Sequence, residues 1–300
     1  MTPEAPHAPL NAMNNPMGAR MAEELARRTR ISKNLGRIRH KVVVMSGKGG
    51  VGKTTVSVNL AASLAKRGFQ VGVLDMDITG PDVPLMLGVE GRRLDEGTGM
   101  IQPILAAHGI RIMSISFLLP TEATAVVWRG PMKMHALTQF LGDVEWGDLD
   151  FLVIDLPPGT SDEPLSVAQS IRDIDGVVIV TTPQTVSTLD VKKALGFAKT
   201  LKLRVLGVIE NMSGFDCPHC GSHYAIFGKE GGGKQLAEDS LAPFLGAIPL
   251  DPLLVERGDT GRPFVWDLPD SPAAQKFEAA VKELLRLVNE PDEKQVASAQ

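Results

Sequence analysis

The sequence holds little of what three large classes of protein need. Only two of its 300 residues are cysteines, so no disulfide framework holds it together. No run approaches the roughly 18 uninterrupted apolar residues of a membrane-spanning helix, and Met1 to Asn15 lacks the basic-then-apolar order of a secretory leader. A cytoplasmic chain without a membrane partner is the expectation. Positive charge is not in excess: 31 Lys+Arg against 35 Asp+Glu give a formal charge of -4, which argues against a protein that grips nucleic acid by bulk charge. What is present is a globular composition, 43% hydrophobic and 22% charged, at a length that one large core still serves.

Three regions are expected along the chain: an arm over residues 1–37, a main domain over 38–289 and a polar tail over 290–300. The arm joins a Pro/Asn/Met-rich stretch to an arginine-rich helical segment, Met21 to Arg39, which reads as a solvated arm or a helix leaning on the domain, with a nucleic-acid- or partner-binding arm as the alternative. Beyond it, short β-branched runs at Val42–Met45, Val71–Leu74, Phe151–Ile154, Val177–Val180 and Val205–Ile209 alternate with stretches of helical length and period, such as Thr54–Arg67 and Leu189–Leu201. Near-continuous apolar strands are buried on both faces, so the pattern predicts an α/β doubly wound, mostly parallel sheet. A last amphipathic helix, about Ala273 to Val288, is expected to pack on that sheet, with a membrane-surface anchor as the alternative.

Gly47-Lys48-Gly49-Gly50-Val51-Gly52-Lys53-Thr54 fits G-x-x-x-x-G-K-[ST] and sits between a strand and a helix, the context a P-loop requires. Its four glycines let backbone N–H groups turn toward a polyphosphate, and the helix beginning near Lys53 directs its positive end at the same anion. Lys53 is expected to reach the β- and γ-phosphates of ATP, and the Thr54 hydroxyl to ligate Mg²⁺. Asp155, at the end of an apolar strand, suits a coordinated water beside the metal; otherwise it caps the following helix. Lys48 is either a loop residue in solvent or an extra cation projected across a dimer interface to the partner's nucleotide.

Lys48 to Thr55 resembles the deviant P-loop of the dimeric ATPases that include nitrogenase iron protein, the MinD/ParA positioning ATPases and the Mrp/Nbp35 iron-sulfur carriers, the SIMIBI type of P-loop NTPase. That resemblance implies that Asp77 positions the attacking water, with Asp75 its less certain neighbour. It also implies that Pro157-Pro158-Gly159-Thr160 is a switch in which the Gly159 N–H senses the γ-phosphate, and that Asn211 contacts adenine. As a bare residue, Asn211 is equally a turn-former before Gly214. Val127 to Met132, Asp150 to Thr160 and Glu210 to Ser213 extend the similarity to the Mrp/Nbp35/ApbC branch over nearly all of residues 38–288.

The two cysteines fall together in Cys217-Pro218-His219-Cys220, a spacing that random placement gives in roughly 1 of 150 cases. Four readings compete: a zinc site completed by His219 and His223, a redox pair, inert thiols, and a cluster shared between two chains. A [4Fe-4S] cluster takes four thiolates and this chain owns two, so a two-fold homodimer with each loop at the axis completes the set. The resemblance implies a slow ATPase that carries a labile cluster to apo iron-sulfur proteins. A MinD/ParA-like positioning ATPase and an ATPase with a structural zinc site are the alternatives.

Overall fold

The computed structural model describes residues 16–77, 80–94, 99–118, 130–159, 162–171 and 173–290. The arm's first fifteen residues, Val127 to Arg129, Thr160 and the tail from Pro291 therefore lie outside the described residues.

The elements follow one another as helix α1 (Pro16–Leu35), strand β1 (Ile38–Ser46), α2 (Lys53–Lys66), β2 (Val71–Asp75), the single turn α3 (Val83–Met86), β3 (Ile104–Leu105), β4 (Arg111–Ser114), α4 (Gly130–Gly142), β5 (Leu149–Asp155), α5 (Asp162–Ser170), β6 (Gly176–Thr181), α6 (Thr185–Thr200) and β7 (Val205–Glu210). A small hairpin, β8 (Phe215–Asp216) and β9 (His223–Tyr224), precedes α7 (Gly232–Asp239), β10 (Phe244–Ala247), α8 (Pro252–Asp259), α9 (Phe264–Asp267) and α10 (Pro272–Asn289).

The main sheet runs β10-β7-β6-β1-β5-β2-β4-β3, parallel throughout except for β3 against β4. Its strands are apolar on both faces because both are covered. Val42, Val44, Val73 and Val153 pack with α2 and α10 on one side, while Val43, Leu74, Leu152 and Ile154 pack toward α4 and α6 on the other. The fold is an α/β doubly wound one, as the run pattern predicts. Its order carries a consequence that the pattern alone does not: β5 lies between β1 and β2, so Asp155 falls level with Asp75 on one neighbour and Val44 on the other. The carboxyl ends of β1, β2 and β5 thus open into one crevice, where ligands of such sheets bind.

One expectation is corrected. The first helix ends at Leu35 rather than running to Arg39. The Gly36 N–H closes the last turn on the Ser32 carbonyl at 2.9 Å, and Ile38 is then drawn into the sheet opposite Leu149. The helix leans on α4: Ile31 and Leu35 are buried, and the Asn34 amide donates to the Leu141 and Val144 carbonyls at 2.9 and 2.7 Å, closing the end of that helix.

Candidate functional site

The loop between β1 and α2 wraps the mouth of the crevice. Gly52, the residue before α2, has φ 81, and a Cβ there would meet the Asn211 side-chain nitrogen at 2.2 Å, so both conformation and space demand glycine. The helix that follows presents its free N–H groups to the same point. Together with Ser46, Lys48, Asp77, Asp82 and Pro158, the loop encloses a cavity of about 330 Å³. Gly47, Gly49, Gly50, Val51 and Thr55 belong to the same wrap, with Gly50 also left-handed at φ 76.

Beneath the loop lies a buried cluster of charge. Lys53 Nζ is 2.7 Å from Asp155 Oδ2, with the lysine almost buried and the aspartate wholly so. Thr54 Oγ1 donates to the same oxygen at 2.8 Å and Ser57 Oγ to the other at 2.6 Å. The next strand places Asp75 alongside; its carboxyl accepts from Ser114 Oγ at 2.8 Å and from the Asp77 N–H at 3.1 Å. Burial, and after it the charge of Asp155, pushes the Asp75 carboxyl well above the usual range, against the pull of Ser114 and Lys53. A protonated Asp75 beside the Lys53–Asp155 pair leaves the buried trio electrically balanced. The Thr54 hydroxyl and the Asp155 carboxylate converge as hard oxygen donors of the kind Mg²⁺ takes.

The remaining expected residues are brought to the same crevice. Asp77 lines the cavity and accepts from the Gly80 N–H at 3.3 Å. The Gly159 N–H donates to the Ser46 carbonyl at 2.9 Å, which ties the segment after β5 to the root of the loop. Lys48 Nζ donates to Gln184 Oε1 at 2.7 Å, so the second lysine is held by the start of α6 in its own chain. Asn211, at the end of β7, donates its amide to the Val51 carbonyl at 2.9 Å and is nearly buried. It also lines a second cavity of about 270 Å³ that shares Thr55, Asp82 and Met86 with the first and is walled by Pro249, Leu250 and Leu254. Asp82, Asp251 and Asp259 line it as well, so the space combines apolar walls with an amide and three carboxylates.

The two thiols stand on the opposite kind of structure. Cys217 and Cys220 occupy the turn of the β8–β9 hairpin, which the Cys217 N–H closes on Ser222 O at 3.0 Å and the Gly221 N–H on Cys217 O at 2.8 Å. Both are free, Cys220 is exposed, and Ser222 Oγ lies 3.3 Å from its sulfur. Hydrogen bonding from the Ser222 side chain, then its backbone, then Cys217 lowers the Cys220 thiol below its usual range and favours thiolate. His223 is already committed: its Nδ1 meets Asp216 at 2.6 Å and its Nε2 meets Glu230 at 2.5 Å, contacts that raise its protonation range. An imidazole held by carboxylates on both nitrogens has no lone pair to give a metal. Among the described residues, no group of three or more His, Cys, Asp and Glu is placed to hold a metal ion.

Sequence reasoning missed Ser57, Ser114 and the second cavity's wall at 249–254. A serine four residues after Lys53 on the same helix face offered a weak signal for the first; the others are set by strand order.

Residues 37–285 match the family described as the NUBPL iron-transfer P-loop NTPase. The chain is 52% identical over 259 residues to an iron-sulfur cluster carrier protein of Methanocaldococcus jannaschii, covering 86% of this chain and 88% of that one. It is 46% identical over 256 residues to the cytosolic Fe-S cluster assembly factor NUBP2 of Bos taurus, covering 84% and 94%. A nucleotide-binding protein from Archaeoglobus fulgidus, solved in complex with ADP, superposes with TM-score 0.72 at 40% identity, over 83% of this chain and 96% of that one.

Proposed function

The chain belongs to the family of NUBPL iron-transfer P-loop NTPases, and on that premise we propose that it is an ATP-hydrolysing carrier of iron-sulfur clusters. Its cargo is a labile [4Fe-4S] cluster held between two copies by Cys217 and Cys220 of each and passed to apo-proteins. The observation that carries this reading is the coexistence, in one chain, of a phosphate loop set over a buried Lys53–Asp155 pair and a two-thiol turn beside which His223 is already held by Asp216 and Glu230. Half a ligand set per chain makes a two-fold dimer the simplest complete site. The name of the bovine relative, a cytosolic assembly factor, accords with a cytoplasmic location.

The cradle's chemistry follows from its residues. The loop's N–H groups and Lys53 bind the β- and γ-phosphates, and Lys53 re-aims from Asp155 toward them. Thr54 and Asp155 would hold Mg²⁺, which adds positive charge at the phosphates. Asp77 orients the water that attacks the γ-phosphorus; a new P–O bond forms as the bond to the β-phosphate oxygen breaks, giving ADP and phosphate. Lys48, swung from Gln184 to the partner's nucleotide, offsets the charge of the transition state. Asn211 and the walls of the second cavity receive adenine, and the Gly159 segment is the switch that reads the γ-phosphate.

The test is anaerobic reconstitution with iron and sulfide, read by metal and sulfide content, absorption spectrum and light scattering. The expected result is about two irons per chain in a dimer, lost in Cys217→Ala and Cys220→Ala. One zinc per chain without iron uptake, or a fully loaded monomer, overturns the reading.

A further inference from the structure

The five residues Glu210–Gly214, the last of β7 and the four that follow it, touch the phosphate loop, α7 and the cysteine hairpin. Glu210, wholly buried, accepts from Ser213 Oγ at 2.6 Å and from the Gly231 and Gly233 N–H groups at 3.0 and 2.5 Å, so it fixes the start of α7. Asn211 holds the phosphate loop through Val51. The Ser213 N–H donates to Ile248 O and the Leu250 N–H to Gly214 O, both at 2.8 Å, which seats the wall of the second cavity. Gly214 has φ 74, and a Cβ there would lie 2.5 Å from His223 Cε1 and 2.7 Å from Glu230 Oε1. The His223–Glu230 pair is therefore pressed onto Gly214, two residues beyond Met212, which with Asn211 lines the second cavity.

We propose that His223 and Glu230 are positioning residues that clasp the cysteine hairpin to the segment Glu210–Gly214, so that a shift of this segment on nucleotide binding re-aims Cys217 and Cys220. The proposal rests on the carrier reading for its purpose, but its geometry does not depend on iron. His223 ties three pieces together: Asp216 at the root of the hairpin, Glu230 ahead of α7 and, by contact, Gly214. The two-residue strands of the hairpin give it little rigidity of their own. Without the clasp, the hairpin is joined to the nucleotide pocket mainly through its chain ends.

The chain's only two thiols report on the clasp directly. Alkylation by iodoacetamide is followed on the full chain, with and without Mg²⁺ and a non-hydrolysable ATP analogue, while analogue affinity is measured on the same samples. In the unmodified chain the analogue is expected to change the alkylation rate by about fivefold, the low end of ordinary coupling between sites. In His223→Gln and Glu230→Gln, analogue affinity stays within about twofold while the nucleotide-dependent change disappears, and the double variant is no worse than either single one. A hairpin that was merely loosened would react faster in both states and keep the ratio. Variants that keep the full ratio overturn the clasp, as does an unmodified chain that binds the analogue with no change in rate. A chain that shows the ratio but takes up no iron overturns the carrier reading and leaves the clasp standing.

Discussion

The phosphate loop and the cysteine turn are both glycine-bearing turns of similar length, built in opposite ways. The loop sits where three parallel strands end, over a buried ion pair whose carboxylate accepts from Lys53, Thr54 and Ser57. The cysteine turn stands outside the sheet on two short strands, with exposed ionic contacts at its root. Polyphosphate is gripped by preorganised N–H groups, which lose their value if the backbone wanders. On the function proposed above, thiolates that take up and release cargo need access and accept some freedom. Rigidity and exposure have thus been divided between two parts of one chain.

The strongest way to break that division is Lys53→Ala. It should abolish measurable nucleotide binding and lower stability by about 3–5 kcal/mol, because Asp155 stays buried without its cation. Nucleotide titration and thermal unfolding check this, and iron uptake at the hairpin should persist. Glycine substitutions sharpen the contrast next. Gly52→Ala should cost on the order of 2–4 kcal/mol, since it forces a left-handed backbone and a clash with Asn211, whereas Gly221→Ala, at φ 69 with nothing nearby, should cost about 1 kcal/mol. Denaturant unfolding of the two variants side by side decides it.

Asp75→Asn should stabilise the protein, raising Tm by roughly 2–4 °C near neutral pH. The sign follows from linkage. The folded chain holds the Asp75 proton more tightly than the unfolded one does, so wild-type stability falls as pH rises from the unfolded value through the raised one. Below about pH 4, where both states are protonated, the advantage of the variant should vanish. The smallest effect is expected on the exposed side. Ser222→Ala removes the main support for the Cys220 thiolate and should slow its alkylation at neutral pH by about two- to threefold.

Much of this was legible in the sequence because it is local. The phosphate loop is eight consecutive residues, and the central strands announce themselves as β-branched runs because both of their faces are covered. What stayed hidden depends on strand order. Asp75 and Asp155 are eighty residues apart in number and become neighbours only because β5 inserts beside β2. Ser114 meets Asp75 for the same reason, one strand further out. β10, Phe-Leu-Gly-Ala, is too short and too weakly β-branched to stand out from its surroundings. The end of the first helix was misplaced because Arg37 and Arg39 continue its charge pattern while the backbone has already entered the sheet at Ile38.

The hairpin's position outside the sheet has an evolutionary reading. Residues 217–222, between the hairpin's strands, enter neither layer of the core, so they can be lengthened, shortened or recoded without repacking a strand. The same nucleotide-binding sheet can then bear a different hairpin, and a lineage can change that turn while leaving the phosphate loop untouched.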